Sequence, residues 1–258
     1  SRNMKPLEIK HRVIGGGEPL ICVPVVEQDA QSVIREITYL SQSTADMIEW
    51  RVDAFRDFTD YNAIRSVFEA VAPLLGEKLF LYTFRTAHQG GMAQVKAEQL
   101  DDLHDLAAES GCVDLVDLEF FEEDRPLHKI KRLREMGVSV IASHHDFEQT
   151  PSPEVMKMLL EKMCAGGADI VKLAVMPQNY KDVLNLLDVT AQFREENPDT
   201  PVITMSMGSL GGISRISGET FGSCVTFGAH EKPSAPGQFA MKELRQMLDT
   251  IHASSQIQ

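Results

Sequence analysis

A chain of 258 residues, 43% hydrophobic and 24% charged, has the composition of a water-soluble globular protein and the length for one large single-core fold or two small domains. Its formal net charge of −13 argues against nucleic acid or anionic membrane as a partner, while a small anion held by a few arginines stays open. No apolar run approaches the ~18 residues of a membrane span, and the stretch Ser1-Arg2-Asn3-Met4-Lys5 lacks the apolar core of a signal sequence.

The four cysteines, Cys22, Cys112, Cys164 and Cys224, form no CxxC pair. They read as reduced, small hydrophobes of a cytosolic protein, since a zinc site wants closer ligand spacing.

Residues 7–13 alternate apolar and polar, the pattern of one arm of a short N-terminal β-hairpin ahead of the Gly15-Gly16-Gly17 turn. A rhythm of apolar runs and helical stretches follows. The runs are 20–26, 45–52, 78–85, 112–119, 138–143, 169–175, 201–207 and 222–227. The helical stretches between them cover 29–42, 60–74, 92–109, 123–136, 153–164, 178–196 and, last, 237–252. Ile64, Val67, Phe68 and Val71 share one helical face, as do Leu244, Met247, Leu248 and Ile251. A Gly-rich loop and a short helix follow 201–207. Eight strand–helix units in 258 residues give about 32 residues per unit, the size of a βα repeat in a barrel. The pattern predicts a (β/α)8 TIM barrel with a short N-terminal β-hairpin, as a single domain over 1–258. The rival open sheet would carry a Gly-rich nucleotide loop after its first strand, where this chain has Val25-Val26-Glu27-Gln28.

In such a barrel the chemistry sits at the C-terminal strand ends. The second run ends Glu49-Trp50-Arg51-Val52-Asp53, with the three charged residues on one face. The third ends at Arg85, followed by Thr86-Ala87-His88-Gln89-Gly90-Gly91. The fourth ends Asp117-Leu118-Glu119 and the fifth Ser143-His144-His145-Asp146. Each item has a plain structural reading. Glu49 and Arg51 can be a buried ion pair, Arg85 can balance a carboxylate, and Asp117 and Glu119 can orient loops. His144 and His145 point to opposite faces, so they do not share a metal, and the spacing of a helical zinc site is absent. After the seventh run, Gly208 to Arg215 suits an anion, through backbone N–H groups and the Arg215 fork. After the eighth, residues 231–238 form a Pro/Gly/Ser loop with the form of a lid, in which Ser234 and Gln238 can bond hydroxyls.

The sixth run holds one polar residue, Lys172. Burial strips hydration from an ammonium, so this lysine finds a counter-charge or gives up its proton more easily, and arginines at the same mouth push in the second direction. A neutral lysine is a nucleophile for carbonyl carbon. The plain reading is a stem along the wall with its head in water.

Taken together, these segments resemble the type I 3-dehydroquinate dehydratases. The matching text is Glu49-Trp50-Arg51-Val52-Asp53, Thr83-Phe84-Arg85-Thr86, Val116-Asp117-Leu118-Glu119, His144-His145-Asp146-Phe147, Ile170 through Pro177, Ile203 through Gly208, Ser214-Arg215 and Ser234-Ala235-Pro236-Gly237-Gln238. The resemblance implies a homodimeric barrel without metal or organic cofactor that removes water from 3-dehydroquinate. It implies Lys172 as the imine-forming residue, His145 as the general acid and base, and Glu49, Arg51, Arg85, Arg215, Ser234 and Gln238 as substrate contacts. The family commonly has an acid where this chain has Gln89. An amide cannot stabilise an imidazolium as a carboxylate would, so the expectation is a lower pKa for His145, with His88 as a candidate substitute for the acid. The rivals are a lysine-imine aldolase and a non-catalytic barrel that binds a small anion.

Overall fold

The computed structural model describes residues 7–233 and 235–257; the stretch read against a signal sequence lies outside them. The chain opens with the hairpin β1 (Leu7–Ile9) and β2 (Arg12–Ile14). Both arms fall before the glycines, and the turn is Lys10-His11, with φ of 50° and 65°, the left-handed pair of a two-residue hairpin loop. The expected turn at Gly15-Gly16-Gly17 is instead the link into the barrel, because the alternation of 7–13 already contains the reversal.

The eight apolar runs become β3 (Leu20–Val25), β4 (Met47–Arg51), β5 (Leu79–Thr83), β6 (Leu115–Glu119), β7 (Ser139–Asp146), β8 (Ile170–Val175), β9 (Val202–Ser206) and β10 (Val225–Phe227). They pair in parallel in the order β10-β3-β4-β5-β6-β7-β8-β9. A bridge of Val202 with Ser223 and a bond from the Cys224 N–H to the Val202 carbonyl (2.9 Å) close the seam between β9 and β10. The helices are α1 (Ala30–Ser41), α2 (Tyr61–Val71), α3 (Ala97–Glu109), α4 (Pro126–Glu135), α5 (Pro153–Ala165), α6 (Tyr180–Glu196), the one-turn α7 (Gly218–Phe221) and α8 (Met241–Ser255). Asp29, Asp60, Ser152 and Asn179 cap α1, α2, α5 and α6 by accepting backbone N–H bonds, each worth about 1 kcal/mol.

Period-two alternation divides the core. Outward strand residues such as Ile48, Trp50, Tyr82, Leu118 and Val171 pack against the helices. Inward residues Cys22, Met47, Leu79, Leu115, Ile141, Ile170 and Ile203 fill the lower barrel, together with Ile14 of the hairpin. Above that apolar plug, the inward positions turn polar.

Four seams are fixed from below by one device. The side chain just before a strand accepts an N–H from the preceding strand: Asp46 from Ile21 (2.9 Å), Asp114 from Phe80 (2.8 Å), Asp169 from Val140 (2.8 Å) and Ser223 from Thr204 (3.0 Å). Lys10 lies 3.0 Å from Asp114 and Arg12 pairs with Asp46, which ties the hairpin to two of these groups. A one-residue slip would turn every inward side chain outward, so these acids hold the register on which the polar upper layer depends. Asp114→Ala leaves the buried Phe80 N–H and Lys10 without this partner, an expected loss of about 1–3 kcal/mol. Urea unfolding at neutral pH measures it, and a loss below about 0.5 kcal/mol, the scatter of surface substitutions, would contradict the role.

Candidate active site

Lys172 is the middle inward residue of β8. Its neighbours across the ladder are Ser143 on β7 and Ile203 on β9. It is 4% exposed, and among the described residues its Nζ makes no hydrogen bond and no ion pair. The group nearest to a partner is the Phe227 ring, whose centroid lies 4.3 Å from Nζ. Burial lowers its pKa; Asp117 and Glu49 oppose that shift and Arg85 adds to it. Desolvation therefore comes first. Of the three arginines expected to depress it, Arg85 is the one among the largest influences.

Two neighbouring cations, Arg85 and Arg51, are already matched. Arg85 gives two bonds to Asp117 (3.0 and 2.9 Å), one to Glu119 (3.0 Å) and one to the Ser143 hydroxyl (3.2 Å). Burial works against its charge, but the two carboxylates outweigh it and hold its pKa above the ordinary value. Arg51 donates from Nε and Nη2 to the two oxygens of Asp53, both at 2.8 Å. The expected Glu49–Arg51 pair is thus replaced by a bidentate pair with Asp53, two residues along the chain. Glu49 instead accepts from the Thr83 hydroxyl at 2.8 Å.

His145 is the next inward residue of β7 after Ser143, opposite Ala174. β7 continues through both histidines, three residues beyond the expected end, which keeps His145 inside while His144 turns outward onto Phe121 (5.4 Å between rings). Gln89 is buried at the end of a one-turn 3-10 segment, Ala87–Gln89. Its Oε1 accepts the His145 backbone N–H at 2.7 Å and lies 3.3 Å from His145 Nδ1. A backbone N–H can only donate, so the amide presents oxygen here. The same oxygen favours a proton on Nδ1 and leaves Nε2 as the free lone pair. Burial lowers the His145 pKa well below the usual histidine value, and Arg85, Lys172, His144 and Arg51 deepen the shift. His88 does not substitute for an acid: it is exposed and lies 3.6 Å from Glu122.

The loop that delivers Gln89 is clamped from two sides. Asp53 accepts the Arg85 and Met92 N–H groups, each at 3.0 Å. Glu119 accepts the Thr86 N–H (3.0 Å) and hydroxyl (2.6 Å). A Cβ at Gly91 would strike the Arg85 carbonyl oxygen, so only glycine closes this turn. The clamping keeps 92–96 out of the expected helix, and α3 begins at Ala97.

On the far side, the 3-10 segment Ser209–Arg215 ends at the predicted anion-binding arginine. The Ser214 hydroxyl accepts the Ser206 N–H at 3.0 Å and donates to the Gly211 carbonyl at 2.7 Å, while Thr226 donates to the Arg215 carbonyl at 2.7 Å. Arg215 is buried, and its Nε has no hydrogen-bond partner among the described residues. Burial lowers its pKa and no carboxylate offsets this. Gln238 follows Gly237, where a Cβ would strike the Gly208 carbonyl, so its loop lies directly on the Arg215 segment. Ser234 lies outside the described residues.

The predicted residues Lys172, His145, Glu49, Arg51 and Arg85 therefore share one barrel mouth, and Arg215 and Gln238 come from the loops after β9 and β10. The roles of Asp53, Ser143 and Thr83 were not readable from local sequence, since each acts through a partner on another strand. Among the described residues no group of His, Cys, Asp and Glu is arranged to hold a metal ion.

Residues 21–255 match the model of the family described as type I 3-dehydroquinase. The 3-dehydroquinate dehydratase of Syntrophotalea carbinolica is 41% identical, over 96% of this chain and 99% of that protein. The Listeria monocytogenes enzyme of the same name is 42% identical with the same coverage. A solved structure of type I 3-dehydroquinate dehydratase from Clostridium difficile, with covalently modified comenic acid, superposes with a TM-score of 0.94 at 38% identity, covering 98% of this chain and all of that one (100%). The Geobacillus kaustophilus structure gives 0.93 at 35% identity, covering 98% of each chain.

Replacing the Gln89 amide by a carboxylate would put a negative charge beside Nδ1 and favour the imidazolium. Gln89→Glu should move the His145 titration midpoint upward by roughly one pH unit or more, read by NMR of the ring. The direction follows from the sign of the added charge, and an unchanged midpoint would show that the contact does not control the ring.

Proposed function

The chain belongs to the type I 3-dehydroquinase family, and from that membership we propose that it is a 3-dehydroquinate dehydratase of the shikimate pathway. In this reading it converts 3-dehydroquinate to 3-dehydroshikimate through an imine on Lys172, with His145 as acid and base. The observation that carries the mechanism is Lys172 itself: a buried amine without an ion-pair partner among the described residues, two ladder positions below His145. Homodimeric assembly, a single domain over 1–258 and residence in the cytosol belong to the same proposal. No helix among the described residues is long and apolar enough to cross a membrane.

The neutral amine attacks the substrate ketone. A C–N bond forms and, as one proton is taken up from solvent, the carbonyl oxygen leaves as water and a protonated imine remains. This cation withdraws electrons from the neighbouring carbon, whose proton passes to Nε2 of His145 while the C–H electron pair forms an enamine. The enamine pair then forms a new C=C bond to the next carbon as the nitrogen re-forms the protonated imine, and the hydroxyl on that carbon departs with the proton of His145, as water. Hydrolysis of the conjugated, protonated imine consumes one water, releases the proton taken up at the start and restores the neutral amine, so the net change is loss of a single water. The low pKa of His145 keeps it neutral for the first transfer and makes its imidazolium a strong acid for the second.

Binding follows the charge pattern. Arg215, desolvated and without a carboxylate, supplies a fork for the substrate carboxylate. Arg51 and Arg85, already paired with acids, serve the hydroxyls through their remaining N–H groups. Glu49 accepts a hydroxyl proton, and Gln238 and Ser234 cover the substrate from the last loop.

Turnover of 3-dehydroquinate is read as the rise of enone absorbance. Lys172→Ala should lower kcat by at least about a thousandfold, in line with loss of a nucleophile; a wild-type rate would refute the imine. Arg215→Ala, which removes a buried charge-assisted contact, should lower kcat/KM by about a hundredfold. An unchanged kcat/KM would place the substrate carboxylate elsewhere.

A further inference from the structure

Lys172 forms its imine, on the reading above, in a mouth where each nearby carboxylate has another partner. Asp117 is bonded to Arg85 and Ser143, Glu119 to Arg85 and Thr86, Glu49 to Thr83, and Asp53 to Arg51 and two backbone N–H groups. None of these carboxylates reaches ion-pair distance of Nζ. The groups that face the amine are Cys22 from β3, Glu49 from β4, Arg85 after β5, Asp117 from β6 and His145 from β7. From β10 comes Phe227. This strand end pairs with Cys22, and the half-buried ring packs on the inner apolar cluster with Met205, Met207 and Ala174. The Lys172 nitrogen lies 4.3 Å from the ring centroid, over its face.

The face of a benzene ring carries negative charge density and attracts a cation, more strongly where water is excluded. A neutral amine gains little from it. We infer that Phe227 is a catalytic residue of this site: its π face holds the cationic forms of the Lys172 nitrogen, the ammonium and the protonated imine. The covalent steps are those given above; the ring makes and breaks no bond. It favours the nitrogen whenever that atom carries positive charge, which is the state that withdraws electrons from the neighbouring C–H.

This makes a prediction that simple packing does not. Above the Lys172 pKa, kcat/KM starts from the neutral amine and passes through a cation, so weakening the ring face lowers it. Below that pKa the starting ammonium loses the same stabilisation, and the effects cancel. Phe227 replaced in turn by mono-, di- and trifluorophenylalanine keeps the ring's shape while draining its face. The plateau of kcat/KM should fall stepwise, by about tenfold over the series. The Lys172 titration, followed by the pH dependence of its reductive methylation, should move downward in parallel, while the acid limbs superimpose. Phe227→Leu, apolar without a π face, should resemble the trifluoro protein. A series flat within twofold, with the Lys172 titration unmoved, would overturn the inference while leaving the imine reading in place. Turnover retained in Lys172→Ala would remove the imine reading itself, so the two failures are distinguishable.

Discussion

A primary amine is held inside a barrel whose carboxylates are all engaged elsewhere. This one constraint organises the upper half of the molecule. Lys172 sits on an inward position of β8, above an apolar plug and below the mouth, and it meets an aromatic face instead of a carboxylate. A close counter-ion would hold it as an ammonium, useless as a nucleophile. The desolvated site lowers the cost of the neutral form, and distant Asp117 and Glu49 keep the shift from being larger. Arg85 is central to this balance. By taking Asp117 and Glu119 for itself it removes both from Lys172 and adds a cation of its own.

The same economy of partners explains the histidine. His145 has no carboxylate at its ring, and its neighbouring charges are cations. Gln89 fixes it through an oxygen whose orientation is set by a backbone N–H. That oxygen is in place because Asp53 and Glu119 grip the 85–92 loop at its two ends. Two acids that touch neither Lys172 nor His145 thus decide where the His145 ring stands. Arg215, on the opposite side, is pinned through its backbone carbonyl, which accepts from the Thr226 hydroxyl, and through its neighbour Ser214, whose hydroxyl accepts the Ser206 N–H, which leaves its guanidinium for an anion. The cations of the mouth differ in state: Arg51 and Arg85 are paired, Arg215 has no carboxylate partner among the described residues, and burial makes Lys172 easier to deprotonate.

Much of this was legible in the sequence because the period of a strand is fixed by covalent geometry. Alternation alone put Glu49, Arg51 and Asp53 on one face and Asp117 and Glu119 on one face, and separated His145 from His144; the roles of His145 and Lys172 came from the family resemblance. The eight runs were visible because strands buried on both faces are apolar throughout. What alternation does not give is pairing between strands. Arg51 took Asp53 rather than Glu49, since the neighbouring carboxylate also gathers two N–H groups from the next loop. The late start of α3 and the longer β7 have the same origin, as tertiary bonds at Met92 and His145 override local propensity. The hairpin turn was misplaced because Gly15-Gly16-Gly17 is the stronger local signal, yet Lys10 and His11 adopt left-handed angles between two ties to the barrel floor, Lys10 to Asp114 and Arg12 to Asp46. The register acids Asp46, Asp114 and Asp169 gave no signal at all, because each acts on a strand about thirty residues away, one repeat of a βα barrel.

The claim on which all of this rests is that the Lys172 nitrogen bonds to substrate carbon. Borohydride reduction of the protein during turnover of 3-dehydroquinate, followed by digestion and mass spectrometry, tests it directly. The expected result is a stable adduct on the peptide that contains Lys172, absent when reductant or substrate is omitted. An adduct on a different lysine, or none while the enone still accumulates, would contradict the account.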